Sequence, residues 1–408
     1  MILYCRLRPI YAIIFHELQV IAMNPDDFKN SPSGRLVPTI ERCWAFVPNP
    51  LPPSNLDLAK LAGPLSKASH ALGELSGVGR ILPNPELLIR PFSRAEAVAS
   101  SKIEGTVTSA PELLMLELTP DAPRVRADTR EVNNYNRALR HGLERINELP
   151  LSKRLFNELH TILLEGVSAE RGAKVVPGEL RRDQNWIGSR TIQNARFVPP
   201  PPLEALNALD EFERFIHREN EELPLLIKLA LLHYQFETIH PYPDGNGRVG
   251  RLIIPLVLCE HKAMSQPLLY LSAHFEKHYT SYIDLMFDVS KSGAWEQWIE
   301  FFLNAVEVSS RVALKKVHAL QDLHRQYMEE IRSARSSALL ATVVDSLFKV
   351  PAMTVTYAAN ELRISYNAAK NNVKKLVELQ ILTPVDSDER PQWFFAEEII
   401  RIANSPDA

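Results

Sequence analysis

Residues Leu223 to Met264 constrain this chain more than any other stretch. In "LPLLIKLALLHYQFETIH", Leu225, Leu226, Leu229, Leu232 and Phe236 recur at helical spacing, and β-branched residues are scarce. "LIIPLVLCEHKAM" is a second apolar helix candidate. Between them runs "PYPDGNGRVGR", in which Gly245, Gly247 and Gly250 spell G-x-G-x-x-G. A dinucleotide turn needs a buried strand before its first glycine and an acidic residue on the next strand. Here a helix comes first, so that reading fails. A Walker A loop fails as well, because no Lys-Ser/Thr follows the last glycine.

The run still has the chemistry of an anion site. Glycines let backbone N–H groups approach phosphate oxygens, and the following helix start adds a favourable dipole. Arg248 and Arg251, three apart, share one side of that first turn and suit phosphate oxygens. Asp244 is a hard carboxylate of the kind that holds Mg²⁺ beside phosphates. His240, ending the preceding helix, suits proton abstraction near pH 7. Together these residue types point to phosphoryl or nucleotidyl transfer. His160 and His233, outside this constellation, read as satisfied core or surface residues.

The remaining sequence predicts a mainly α protein. Residues 124–147 carry Val125, Val132, Tyr135, Leu139, Leu143 and Ile146 on one helical face, and Leu155 to Leu164 repeats the pattern. Thirty prolines against fifteen glycines suggest rigid connectors. "VPNPLPPSN" leads into a helix expected from Leu56, with Ser54 or Asn55 as cap. "DQNWIGSRTIQNARFVPPPP" alternates around Gly188 and reads as a short β-hairpin flap, residues 183–200. Val306 to Arg332 reads as a charged spacer helix. With 45% hydrophobic residues, 23% charged residues and a net charge of −3, the chain has no bulk attraction for nucleic acid or acidic membranes. Cys5, Cys43 and Cys259 have no metal-ligand spacing and suit a reducing, cytoplasmic setting. No apolar run is long enough to span a membrane, and residues 1–22 read as an extension with no cleavage pattern.

His240 to Arg251 resembles the Fic family signature, H-P-F-x-D/E-G-N-G-R-x-x-R, with Tyr242 in place of phenylalanine. The resemblance implies a Fic-type helical bundle over 150–306. It implies transfer of AMP from ATP to a Ser, Thr or Tyr hydroxyl of a protein, including self-modification. His240 would be the base and Asp244 the Mg²⁺ ligand. Gly245, Asn246, Gly247, Arg248, Gly250 and Arg251 would hold the phosphates. Kinase-type relatives carry lysine at Gly247, so its glycine favours the AMP-transfer orientation. Gln184, Asn185, Trp186, Ile187 and Gly188 of the flap would meet nucleotide and target, and Tyr270, Tyr282 and Trp295 would wall the adenine. The stretch Ser100-Ser101-Lys102-Ile103-Glu104-Gly105 resembles the family's inhibitory pattern, S/T-x-x-x-E-G/N. It implies an inhibitory helix over about 93–105, within an N-terminal helical region 23–149. There Glu104, with Ser100 and Gly105, would occupy the γ-phosphate's place on Arg251. In some relatives this glutamate also helps remove AMP.

After a linker at 307–335, residues 336–408 outline a winged helix-turn-helix: three short helices, then strand–turn–strand. Ser365 would cap a recognition helix carrying Tyr366, Asn367, Lys370, Asn371, Lys374 and Lys375. Seven Lys/Arg against nine Asp/Glu in this region do not favour DNA as its partner. Homodimerisation or target recruitment is the competing role. The whole chain therefore reads as an autoinhibited AMP-transferase, the alternative being a DNA-binding regulator whose Fic domain senses ATP.

Overall fold

The computed structural model describes residues 22–81, 85–119, 126–166, 175–218, 223–333, 338–385 and 391–405. The extension at residues 1–21, Cys5 included, lies outside them, as do Arg124 and Val125 of the expected helical face. A feature the sequence reading missed comes first. Strands β1 (Gly34–Pro38) and β2 (Trp44–Pro48) form an antiparallel hairpin, registered Gly34↔Pro48 to Pro38↔Trp44. Each is five residues long and proline-bounded, too short to announce itself by alternation. Phe46 of β2 is buried between Phe28 and Phe197, with ring centroids at 5.7 and 5.9 Å. A Cβ at Gly34 would overlap that ring, so the close approach requires glycine.

Helices follow: α1 (Leu58–Ile81), α2 (Glu86–Ile103), α3 (Ala110–Leu118), α4 (Ala127–Arg145), α5 (Lys153–Leu163) and α6 (Pro202–His217). The cap of α1 is Asp57, whose Oδ1 accepts from the Ala59 and Lys60 N–H groups, and not Ser54 or Asn55. At the centre lie α7 (Leu225–Ile239) and α8 (Asn246–Glu260), the two apolar helices read from sequence. Both are buried on nearly every face, as expected for helices apolar all round. Short α9 (Ser272–Lys277) and α10 (Tyr279–Ser292) then lead into α11 (Trp295–Ser333).

Helix α11 corrects the expected spacer. It is a single helix of 39 residues that runs through the anticipated 306/307 boundary without a break. Phe302, Val306, Ala313, Val317, Leu320, Tyr327 and Ile331 bury one continuous stripe. The stripe packs along α1 and, towards its C-terminal end, on the C-terminal region, where Tyr327 meets Phe348 at 6.1 Å and Lys316 donates to the Ala403 carbonyl at 2.9 Å. Each such large apolar side chain contributes about 1.5–3 kcal/mol when withdrawn from water. Charge on one face had disguised a core helix.

The C-terminal region contains α12 (Ala338–Lys349), β3 (Ala352–Met353), α13 (Val355–Leu362), α14 (Tyr366–Glu378), β4 (Thr383–Pro384), β5 (Phe394–Phe395) and α15 (Glu397–Asn404). The strands pair antiparallel in the order β3-β5-β4. Part of the expected turn between β4 and β5, residues 386–390, lies outside the described residues. Ser365 caps α14 as anticipated, accepting from the Ala368 N–H at 3.3 Å. This region docks directly on α2: Arg94 forks onto Glu117 of α3 at 2.7 Å and donates to the Lys349 carbonyl at 2.6 Å. Among the described residues, no helix is long and apolar enough to cross a membrane.

Candidate active site

The site is built where α7 stops. His240 caps that helix in the left-handed region, φ 50° and ψ 59°, an uncommon conformation for a residue with a Cβ. Its Nδ1 lies 3.1 Å from the Glu237 carbonyl. A carbonyl only accepts, so Nδ1 carries the proton and Nε2 keeps its lone pair. Burial lowers the imidazole to about 4, and nearby Arg181 pushes the same way, so it is neutral near pH 7. Neutrality with a free Nε2 lone pair is what a general base requires.

The loop from Pro241 to Gly245 is held rigidly. The Asn246 amide closes it on itself, accepting from the Tyr242 N–H and donating to the Tyr242 carbonyl, both at 2.8 Å. That side chain, expected on phosphate, faces inward. Tyr242 fills the position of the signature's phenylalanine, buried and stacked on His160 with centroids 4.0 Å apart. Its hydroxyl donates to Asn157 at 2.7 Å. His160, read from sequence as a satisfied residue, is satisfied by this loop. Its Nε2 donates to the Asp244 carbonyl at 2.9 Å while Nδ1 accepts the Gly178 N–H at 2.8 Å. Burial lowers it to about 4, which preserves that donor–acceptor pattern. Gly245 then turns the chain at φ +80° into α8, and Asp244 Oδ1 accepts its N–H at 2.7 Å.

The two arginines part company. Arg248 is 0% exposed and ion-paired to buried Glu131 of α4, with Asp244 4.0 Å away. Its Nε and one terminal nitrogen have no hydrogen-bond partner among the described residues. Arg248, expected with Arg251 on the β- and γ-phosphates, here pairs with Glu131 and so braces α8 against α4. Arg251 is met by α2: Nε donates to Ser100 Oγ at 2.8 Å, and a terminal nitrogen donates to the Ser100 carbonyl at 3.0 Å and to Glu104 Oε1 at 2.8 Å. Burial alone would lower this guanidinium, but Glu104, Tyr282 and Glu237 around it raise it overall. Glu104 is the C-cap of α2, and Gly105 ends the helix at φ +76°. Its carboxylate, 30% exposed, lies over Gly247, where a Cβ would overlap it. A carboxyl likewise abuts Gly250: Glu237, raised by burial to about 7.

The flap is less regular than expected. Residues 183–200 form no paired strands; a single bridge, Ile187↔Phe197, closes the loop, and a 3-10 turn at Ile192–Asn194 shapes its tip. Its return arm is held elsewhere, since the Phe46 N–H of β2 donates to the Val198 carbonyl at 2.9 Å. Gly188 turns at φ +85° and Trp186 is 38% exposed. Gln184 donates to the Pro199 carbonyl at 2.9 Å, and Asn185 reaches the carbonyls of His240 and Tyr242 at 3.3 and 3.2 Å. The anticipated adenine wall is taken up by packing. Trp295 meets Tyr234 edge-on at 4.8 Å, and Tyr282 stacks on Phe275 at 4.5 Å while donating to His233. Tyr270 packs against the same core. Partly exposed Tyr279, passed over in the sequence, has Glu104, Arg251 and Arg196 nearby.

Four buried or half-buried histidines set an acid response. His160, His240 and His274 are lowered to about 4 and His233 to about 3, burial being the largest cause for each. The unfolded chain therefore binds protons that the folded one refuses as pH falls below about 6.5. The histidines' contribution to stability is full above that value and falls towards pH 4, partly offset by Glu96 and Glu237, whose raised carboxyls act oppositely. Urea midpoints measured from pH 7 to 4.5 should decline accordingly; a midpoint that rises on acidification contradicts these histidine environments.

A mainly helical fold thus carries a neutral histidine, a carboxylate and a glycine-lined helix start, with an acid seated on the helix's second arginine. Residues 63–144 match the Fic/DOC family N-terminal model and residues 150–258 the Fic/DOC family model. Residues 63–144 and 150–258 are thus Fic/DOC family sequence. It is 28% identical over 186 residues to a probable protein adenylyltransferase of Aquifex aeolicus, covering 43% of this chain and 52% of the relative. It is 29% identical over 165 residues to protein adenylyltransferase Fic of Drosophila melanogaster, covering 38% of this chain and 30% of that protein. The match therefore spans about half or less of these curated relatives. Among solved structures, a Fic family protein from Desulfovibrio desulfuricans superposes with a TM-score of 0.53 at 17% identity, over 85% of this chain and 98% of that one. Fic-1 from C. elegans gives 0.51 at 16% identity, over 64% and 75%. Both likenesses concern the fold.

Proposed function

We propose that this chain is an autoinhibited protein adenylyltransferase, moving AMP from ATP to a hydroxyl of a protein substrate and of itself. The observation that carries the reading is the Glu104–Arg251 pair at 2.8 Å, beside a neutral histidine at the head of a glycine-lined helix. His240 Nε2 takes the proton from the attacking hydroxyl. The oxygen then bonds to the α-phosphorus as the bond to the β-phosphate oxygen breaks, and pyrophosphate leaves. The backbone at Gly245 and Gly247 and the start of α8 receive phosphate oxygens, and Arg251 receives the γ-phosphate once Glu104 withdraws. Asp244 suits Mg²⁺, because it offers one partly exposed carboxylate and Mg²⁺ is commonly held by a single carboxylate plus substrate phosphates. The ion would neutralise charge between the α- and β-phosphates.

Glu104 and the γ-phosphate are two anions competing for one guanidinium that keeps its charge at all working pH values. The test is incubation with α-labelled ATP and cell lysate, comparing wild type with Glu104→Gly. Labelled protein that depends on His240 supports the reading; no label in either chain overturns it.

A second reading rests on the exposed row Tyr366, Asn367, Lys370, Asn371 and Lys374 along capped α14. It is a DNA-binding regulator in which the Fic domain senses ATP, with the lysines on phosphates and Asn367 or Asn371 on base edges. A salt-dependent duplex shift with no labelled protein favours it.

A further inference from the structure

Resting on that reading, we infer that Arg181 is a positioning residue that locks the proposed base His240 and the flap into one rigid unit. Arg181 is 7% exposed, and all the hydrogen bonds of its side chain go to backbone carbonyls. Nε donates to the His240 carbonyl at 2.9 Å, and one terminal nitrogen reaches Ile239 at 3.5 Å. The remaining donations go to Asp183 at 3.2 Å and to Pro200, the two ends of the flap. Its own backbone N–H donates to the Pro241 carbonyl at 3.0 Å. Asn185 adds the His240 and Tyr242 carbonyls. Four consecutive carbonyls, Ile239 to Tyr242, are thus gathered by two residues at the mouth of the flap.

The arrangement answers two physical needs. A helix end leaves its last carbonyls without intrahelical partners, and here they are buried. A left-handed histidine persists only where its surroundings over-determine it. A planar fork with five donors can bind the helix end and both flap ends at once, which an ammonium cannot. The charge also has a consequence. Arg181, Glu104 and Asp244 are the charged groups acting on His240, and of these only Arg181 favours the neutral imidazole.

The test uses full-length chains in the Glu104→Gly background, with kcat and KM for ATP measured in self-labelling. Arg181→Met should lower kcat by about 100-fold with KM for ATP within about twofold, since displacing a reacting group by about 1 Å costs that much and the α8 phosphate site is untouched. Arg181→Lys should recover about tenfold of this, and Asn185→Ala should lose about tenfold by the same reasoning. Should Arg181→Met fail to fold, the other two variants decide. Unchanged kcat in folded variants, or a loss confined to KM, overturns the role. Absence of labelling by Glu104→Gly itself would instead sink the transferase reading and is separately visible.

Discussion

Glu104→Gly should label itself from α-labelled ATP roughly 5- to 150-fold faster than the wild-type chain, the span of a 1–3 kcal/mol coupling between two ligands of one site. The size follows from what the substitution removes. Glu104 contributes its carboxylate to a buried guanidinium and covers the backbone at Gly247, so both the charge and the space expected to receive the γ-phosphate are occupied. Ser100 keeps its two contacts to Arg251, so the arginine stays in place while its outer partner goes. Adding His240→Ala should remove at least about 100-fold of this rate, the usual worth of a positioned base. A double variant that retains the activated rate assigns proton removal to another group. Equal labelling by wild type and Glu104→Gly removes the switch.

Which parts of this site can be read from sequence follows from how local their determinants are. The twelve residues from His240 to Arg251 are contiguous, and their spacing already placed a base at a helix end and a nest at the next helix start. Ser100 and Glu104 lie about 150 positions away, yet four-residue helical spacing fixes their common face. What the sequence leaves unstated has another cause. Arg248 and Arg251 are both three-apart arginines on one helix, and only the elements packed beyond decide that Glu131 takes one and Glu104 the other. Arg181 sits among common polar letters, and nothing local says that its five donors will face backbone carbonyls from two distant turns. The β1–β2 hairpin owes its existence to Phe28 and Phe197, which are remote in sequence from Phe46. The expected spacer is packed because its apolar stripe meets α1 and the C-terminal helices, all remote in sequence from most of it.

Arg248→Ala should destabilise the fold by about 3–5 kcal/mol, the cost of removing one member of a buried ion pair. Glu131, 4% exposed, would lose its buried cation and keep the Thr106 hydroxyl, which donates to it at 3.0 Å. The loss also unties α8 from α4, and α8 carries the whole glycine nest. Arg251→Ala should behave differently. Its partner Glu104 sits at a helix end with a route to water, so the fold loses less while nucleotide binding suffers more. Urea midpoints and nucleotide titration on the two variants separate the cases. If Arg248→Ala keeps its midpoint and loses nucleotide, the guanidinium swings out of its pocket to meet phosphate, and the sequence reading of both arginines is restored. If it unfolds early yet binds nucleotide below its transition, Arg248 serves the site only by holding the helix that Arg251 stands on.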